Sequence, residues 1–139
     1  MEITAIALQT VEANQNILFT ETAVCGSNSI LHREGSGLVS LRGLTNQCRA
    51  RFKVFFSANI AVPTGGTVGP ISLAIAVNGE AAASTIMIQT PAAVAQFANV
   101  ATGIYLDVPA GCCTQISVKN VGTEAIDVQN ANLIIDRVA

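Results

Sequence analysis

Charge is scarce in this chain. Only 12% of its 139 residues are Asp, Glu, Lys or Arg, with seven basic residues, nine acidic ones and a net charge of −2. That is about half the roughly 25% usual for soluble domains. Half of the residues are hydrophobic and the mean hydropathy is positive, which excludes a disordered or acidic-tail protein. The net negative charge and the lack of a basic domain speak against nucleic acid as a partner. Long apolar runs are missing too: the longest, such as Ala74 to Val77, reach about five residues, against about 20 for a helical membrane span. The start, Met1-Glu2-Ile3-Thr4-Ala5-Ile6, puts an acid where a secretory leader needs positive charge, so no signal peptide is expected. A chain of this length is expected to form one domain, residues 1–139, exposing roughly 6,800 Å² when folded. Something must cover its apolar excess, and with no membrane span self-association is the expected answer.

The four cysteines, Cys25, Cys48, Cys112 and Cys113, show no CxxC spacing of a zinc ribbon or redox motif. They read first as reduced, mostly buried thiols. A vicinal Cys112–Cys113 disulfide or a Cys25–Cys48 bridge comes next, and a metal site using His32 last.

Strand signals dominate. Cys48, Ala50, Phe52, Val54 and Phe56 alternate with Arg49, Arg51, Lys53 and Phe55, a period of two that sets one face on a core and a basic stripe outside. Ile71, Leu73, Ile75 and Val77 alternate with Ser72, Ala74 and Ala76, giving one bulky and one small face. Asn78-Gly79 then predicts a hairpin, because both central residues of a type I′ turn need positive φ, and a returning strand is expected over 83–89. Val100 to Val108 alternates as well and closes at the turn Pro109-Ala110-Gly111. Ile116 and Val118 mark another strand, and Ile126 and Val128 a short one. Ala131 to Val138 is the last, apolar on both faces near Leu133, Ile134 and Ile135 and so expected to be buried on both sides. Residues 3–8, 16–20, 29–33 and 38–41 read as further strands, and Pro63 to Pro70 as a loop. The one helix-like stretch is Thr90 to Phe97, with Thr90 as N-cap and Pro91 behind it. The pattern predicts an all-β sandwich or barrel of about eight to ten short antiparallel strands.

Chemistry is thinly encoded. The only histidine, His32, has no nucleophile elbow or papain-type cysteine context beside it. Asp107, Asp127 and Asp136 fall on separate strands and point outward, which favours solvated or salt-bridged carboxylates over a glycosidase pair. The Gly-rich loop lacks the Gly-Lys-Ser/Thr ending of a phosphate cradle. No catalytic, cofactor or metal residue is assigned, and no enzyme is expected. Four of the seven basic residues lie between Arg42 and Lys53. Arg49, Arg51 and Lys53 are the candidate docking stripe for an acidic surface, weighed against a solvent face or inter-subunit salt bridges.

The strand Asn16-Ile17-Leu18-Phe19-Thr20, Ile71 to Gly79 with its Asn-Gly, Leu106-Asp107-Val108-Pro109-Ala110-Gly111 before Ile116-Ser117-Val118, and the terminal Ala131 to Val138 follow one another in a familiar order. It resembles the jelly-roll trimer domain shared by tumour necrosis factor, complement globular heads and the C-terminal domains of bacterial and phage collagen-like proteins. The terminal strand of bacterial members runs through the trimer centre. The phrases Leu38 to Thr45, Pro63 to Ile71, Gly111-Cys112-Cys113 and Val128 to Leu133 are similar to small proteins of gut Firmicutes phages and prophages, encoded beside capsid genes. The chain has no Gly-x-y stalk, which sets it apart from a stalk-borne adhesin.

The resemblance implies a compact homotrimer of jelly-roll β-sandwiches. In function it implies a phage virion structural protein, a head decoration (cement) or head-fibre protein on the capsid surface. Such a protein is made in the bacterial cytoplasm, with itself and the major capsid protein as partners and no cofactor. The candidate trimer interface is Ala74, Ala76, Tyr105, Leu133 and Ile135. The alternative is a carbohydrate- or receptor-binding module of a tail fibre or bacterial surface protein, with a glycan as partner. The loops at 24–29 and 61–70, which would carry its contacts, hold no aromatic residue.

Overall fold

The computed structural model describes residues 1–44 and 48–139, the side chain of Cys112 excepted, so Thr45 of the Leu38–Thr45 phrase lies outside the described residues. In chain order the strands are β1 (Glu2–Ala5), β2 (Gln9–Val11), β3 (Glu21–Val24), β4 (Ile30–His32), β5 (Val39–Gly43) and β6 (Arg49–Ala61). They continue as β7 (Ile71–Val77), β8 (Glu80–Ala81), β9 (Met87–Gln89), β10 (Ala98–Pro109), β11 (Gly111–Asn120) and β12 (Ile126–Arg137). They form two six-stranded sheets. The first runs β10-β6-β12-β1-β3, with β2 on β12; the second runs β4-β5-β11-β7-β8, with β9 on β7. All strand pairs among the described residues are antiparallel, which makes a jelly-roll sandwich.

The register explains why there are more strands than the pattern predicts. β1 and β2 lie end to end along β12, through Ala5↔Ala131 and Gln9↔Val128; the strand expected over 3–8 stops at Ala5, and β2 follows beyond its expected end. β8 and β9 share β7 in the same way. The returning strand expected over 83–89 begins instead as a single 3₁₀ turn, Ala83–Thr85, and is strand only over Met87–Gln89; the buried Thr85 hydroxyl bonds the backbone of Ile75 and Ala82. In the opposite sense, the two strands expected at Ile126 to Val128 and Ala131 to Val138 are one, Ile126–Arg137. A bulge between Gln129 and Asn132, with Asn130 at φ 55°, absorbs the apparent break; Asn tolerates that region better than most residues.

Two expectations are corrected. Residues 90–97 form no helix: Ala95 has φ 59° and donates its N–H to the Val62 carbonyl, so the segment is a loop pinned to the end of β6. Residues 16–20 are extended but form no ladder beyond one bridge, Asn16↔Lys119. Their alternation is real, since Ile17 and Phe19 are fully buried.

Between the sheets lies the core, where Phe19, Phe52 and Phe56 are its largest fully buried side chains. Phe19 and Phe56 meet edge to face, 6.5 Å apart and at 84°, the arrangement aromatic quadrupoles favour. The folded chain exposes 6885 Å², what a compact monomer of this mass keeps. At one end Gly43 bridges Ala110, and a Cβ on Gly43 would fall 2.1 Å from the Pro109 carbonyl oxygen. Only glycine permits that approach, which seats the β10–β11 turn against β5.

At the other end Asn120, fully buried, ties three segments together. Its Nδ2 donates to the carbonyls of Val11 (3.0 Å) and Glu124 (2.8 Å), and its Oδ1 accepts the Gly122 N–H (3.0 Å). Removing the amide would strand a buried carbonyl, which costs more than the bonds are worth net. Asn120→Ala is expected to lower unfolding stability by about 2–4 kcal/mol, read from urea denaturation; an unchanged midpoint would refute this role.

Candidate functional site

Strands β6, β10, β12 and β1 carry a broad surface on the side of the first sheet away from the core. Alternation sends Phe52, Val54 and Phe56 inward, so Arg49, Arg51, Lys53, Phe55, Ser57 and Asn59 must face outward. Register then lines them up in rows. Asp107 stands opposite Arg51; Lys53 lies between Tyr105 and Asp136, and Phe55 between Gly103 and Ile134. Ala101 stands opposite Ser57 and Asn132, with Thr4 beyond.

The first row is charged. Arg51 grips Asp107 with two hydrogen bonds, Nε to Oδ1 at 2.8 Å and a terminal nitrogen to Oδ2 at 3.2 Å, while Arg49 Nε approaches Oδ2 at 3.5 Å. The Arg51 hydrogen bond, helped by the charges of both arginines, holds the Asp107 carboxyl below its ordinary pKa against some desolvation. The same bond and charge raise Arg51.

Below the row of Tyr105, Lys53 and Asp136, the row of Gly103, Phe55 and Ile134 is apolar. The Phe55 ring lies over Gly103, its Cδ2 3.5 Å from where a Cβ would stand, an ordinary contact distance. Phe55 is 40% exposed and Tyr105 62%. Lys53, Phe55, Ile134 and Asp136 enclose a hollow of about 190 Å³, and among the described residues Lys53 makes no ion pair.

Amides fill the far rows. Asn99 donates to Asn59 and Asn59 to Asn130, both at 3.2 Å. Asn132 donates to the Glu2 carboxylate at 2.7 Å, leaving its own Oδ1 out of solvent and without a hydrogen-bond partner.

Of the candidate interface residues, Tyr105 alone stands in solvent. Leu133 and Ile135 point into the sandwich, 1% and 0% exposed; the outer face of the last strand is Asn132, Ile134 and Asp136, so the strand is not covered on both sides within the chain. Ala74 and Ala76 lie on the second sheet, completely covered by the chain itself. The five therefore do not come together. The stripe of Arg49, Arg51 and Lys53 does share one face, as the alternation predicts, but two of its three cations converge on Asp107. Phe55, Gly103 and Ile134 escaped notice because their juxtaposition depends on register between distant strands.

His32 sits elsewhere, in a hollow of about 430 Å³ with Ser36 and Ser40. Its Nε2 donates to the Ser36 carbonyl at 2.9 Å, its Nδ1 is buried without a partner, and the ring meets Phe19 edge-on at 6.4 Å. Among the described residues no cluster of His, Cys, Asp and Glu is placed to hold a metal ion. Cys25 and Cys48 are exposed free thiols, against the expectation of burial, and Cys113 is disulfide-bonded rather than reduced. The Cys112 side chain lies outside the described residues.

No known protein family matches the chain, and no curated protein matches it. Solved structures do. The globular domain of zebrafish complement 1qA superposes with a TM-score of 0.63 at 11% identity, covering 96% of this chain and 93% of that one. The chain therefore has the jelly-roll fold of a complement globular head. A family 35 carbohydrate-binding module from Clostridium thermocellum matches at a TM-score of 0.36 and 15% identity, covering 92% and 98%. A Podospora anserina GH26-CBM35 mannanase also gives 0.36, at 17% identity, covering 95% and 28%. Both superpositions are too distant to bear on function.

The Asp107 cluster yields a signed pH dependence. A depressed folded pKa means that its stabilisation is present above the unfolded value near 3.9 and fades as pH falls through the lower folded value. Asp107→Asn should lower the Tm slightly at about pH 7, as exposed pairs do, and leave it unchanged near pH 2. Equal Tm differences at both pH values would contradict this.

Proposed function

We propose that this chain is a non-enzymatic virion structural protein: a jelly-roll protomer that self-associates through the outer face of β6, β10 and β12 and decorates the exterior of a phage capsid. The observation that carries the self-association is the row of Phe55, Gly103 and Ile134, an apolar strip on the outer face of the first sheet in which Phe55 is 40% exposed and Ile134 half-buried. Tyr105 flanks it on one side, and the small or uncharged Ala101, Ser57 and Asn132 on the other. Lys53 and Asp136, side by side at its rim, offer opposite charges to the same surface of another copy.

The complement-head fold supports a compact homotrimer, and the count of three rests on that resemblance. An obligate interface of this kind buries about 2,000 Å² or more. The capsid role, as a head decoration or head-fibre protein made in the bacterial cytoplasm and docked on the major capsid protein, rests on the likeness of the loop phrases to capsid-adjacent phage proteins. No catalytic, membrane or nucleic-acid role belongs to this proposal.

A second reading draws on the same face. Two exposed aromatics beside an amide-rich flank are the chemistry that binds glycans, and the sheet supplies what the loops lack. The readings separate by whether the face is buried between copies.

Light scattering at micromolar concentration should give three times the chain mass; a stable monomer would overturn the proposal. Phe55→Glu and Ile134→Glu should each weaken assembly about a hundredfold or more, the scale of an interface hot spot, while circular dichroism stays that of the parent. Leu31→Glu, exposed on the second sheet, should leave the mass unchanged. Co-sedimentation with capsids lacking the protein tests the docking step, and glycan-array binding by a monomer, lost on Tyr105→Ala, would favour the second reading.

A further inference from the structure

The only Asn-Gly pair in the chain, Asn78–Gly79, makes the β7–β8 turn, with φ 52° and 86°, the type I′ form that this dipeptide favours. The same dipeptide is chemically labile, since Asn is thermolabile and the following glycine has no side chain to obstruct its own amide nitrogen. Asn78 is exposed, and no atom lies within 4 Å of where a Gly79 Cβ would be, so water reaches the bond.

We propose that Asn78 is a site of spontaneous modification to aspartate and isoaspartate, gated by opening of the β7–β8 hairpin away from β11. The Gly79 amide nitrogen gives its proton to solvent base and attacks Asn78 Cγ. The new N–C bond forms, the Cγ–Nδ2 bond breaks and ammonia leaves. Water then opens the cyclic imide at either carbonyl, giving aspartate or an isoaspartyl linkage through the former side chain. No oxidant or cofactor enters.

The gate is two hydrogen bonds to one residue across the sheet. Asn78 Oδ1 accepts the Gln115 N–H at 2.9 Å, and the Asn78 N–H donates to the Gln115 carbonyl at 2.7 Å. For Cγ to reach the Gly79 nitrogen, the side chain must leave Gln115 and fold back over its own main chain. Lys119 Nζ, 3.4 Å from the Gly79 carbonyl oxygen, adds a strut. The two products then differ in fate. Aspartate keeps an acceptor for the Gln115 N–H, so the hairpin recloses. Isoaspartate lengthens the main chain by a methylene inside a two-residue turn, which the Val77↔Glu80 pairing does not accommodate, so the hairpin stays open.

The whole chain is aged at mildly alkaline pH, native and in urea, and digested for peptide mass mapping with isoaspartyl methyltransferase labelling. Asn78 should convert first in the unfolded chain and about tenfold or more slowly in the folded one, because attack draws on the opened population. Equal rates in the two states would remove the gate, and earlier conversion of another asparagine in urea would remove the site. Asn78→Asp should melt with the parent; a large loss of Tm would refute the stated difference between the products.

Discussion

Strand β6 decides most of this molecule. Over its length it pairs with β10 on one side, Arg49↔Pro109 to Ile60↔Ala98, and with β12 on the other, Phe52↔Arg137 to Ala61↔Asp127. A strand held on both edges cannot slip by one residue without turning Phe52, Val54 and Phe56 out and Arg51, Lys53 and Phe55 in. Burying Arg51 and Lys53 unpaired would be prohibitive. The strict alternation of β6 thus fixes the register of the two longest neighbours, and through β12 the placement of β1, β2 and the closing edge β3.

The same constraint distributes the few charges. With Arg49, Arg51 and Lys53 committed to one face, the outward residues of the flanking strands meet them in order. β10 presents Asp107 to the arginines and Tyr105 to the lysine, and β12 presents Asp136. Asp107 gathers two cations and is itself held ionised by them, so the basic stripe is largely neutralised where it begins. Below it, Lys53 and Asp136 share one row, and the row of Gly103, Phe55 and Ile134 follows. Scarcity of charge in the composition becomes a spatial feature: from Gly103 to Asn99 the facing outer positions of β10, β6 and β12 are uncharged, and the acids Glu2 and Glu21 lie beyond them on β1 and β3.

Fold class was legible in the sequence because period-two alternation is a local signal. Strands 71–77 and 100–108 appear almost where they were expected, and the turn at Asn78-Gly79 follows from positive φ alone. Errors arose where tertiary contacts overrode local preference: the Thr90–Phe97 segment has helix-start chemistry, yet the bond from Ala95 to Val62 holds it as a loop. The site was less legible. Leu133 and Ile135 look like interface residues in a strand apolar on both faces, and only pairing with β6 shows that they face Phe52, Val54 and Phe56 inside. Phe55 and Gly103 are separated by 48 positions in the numbering, and no one-dimensional pattern links them.

Edges complete the physical argument for a second copy. β10 is the outermost strand of the first sheet, and from Ala98 to Leu106 it carries neither a charge nor a proline. Long, flat edges of that kind invite pairing or packing with other chains unless they are covered. The other edges are guarded by brevity: β4 and β9 have three residues each and β8 two, while β3 begins with a charge at Glu21. The unguarded edge adjoins the apolar strip of Phe55 and Ile134, through Gly103 and Tyr105. Unprotected backbone and uncompensated apolar surface therefore coincide on one side of the sandwich. A partner that packs there resolves both with a single interface, and a copy of the chain can set an acid against Lys53, which makes no ion pair among the described residues.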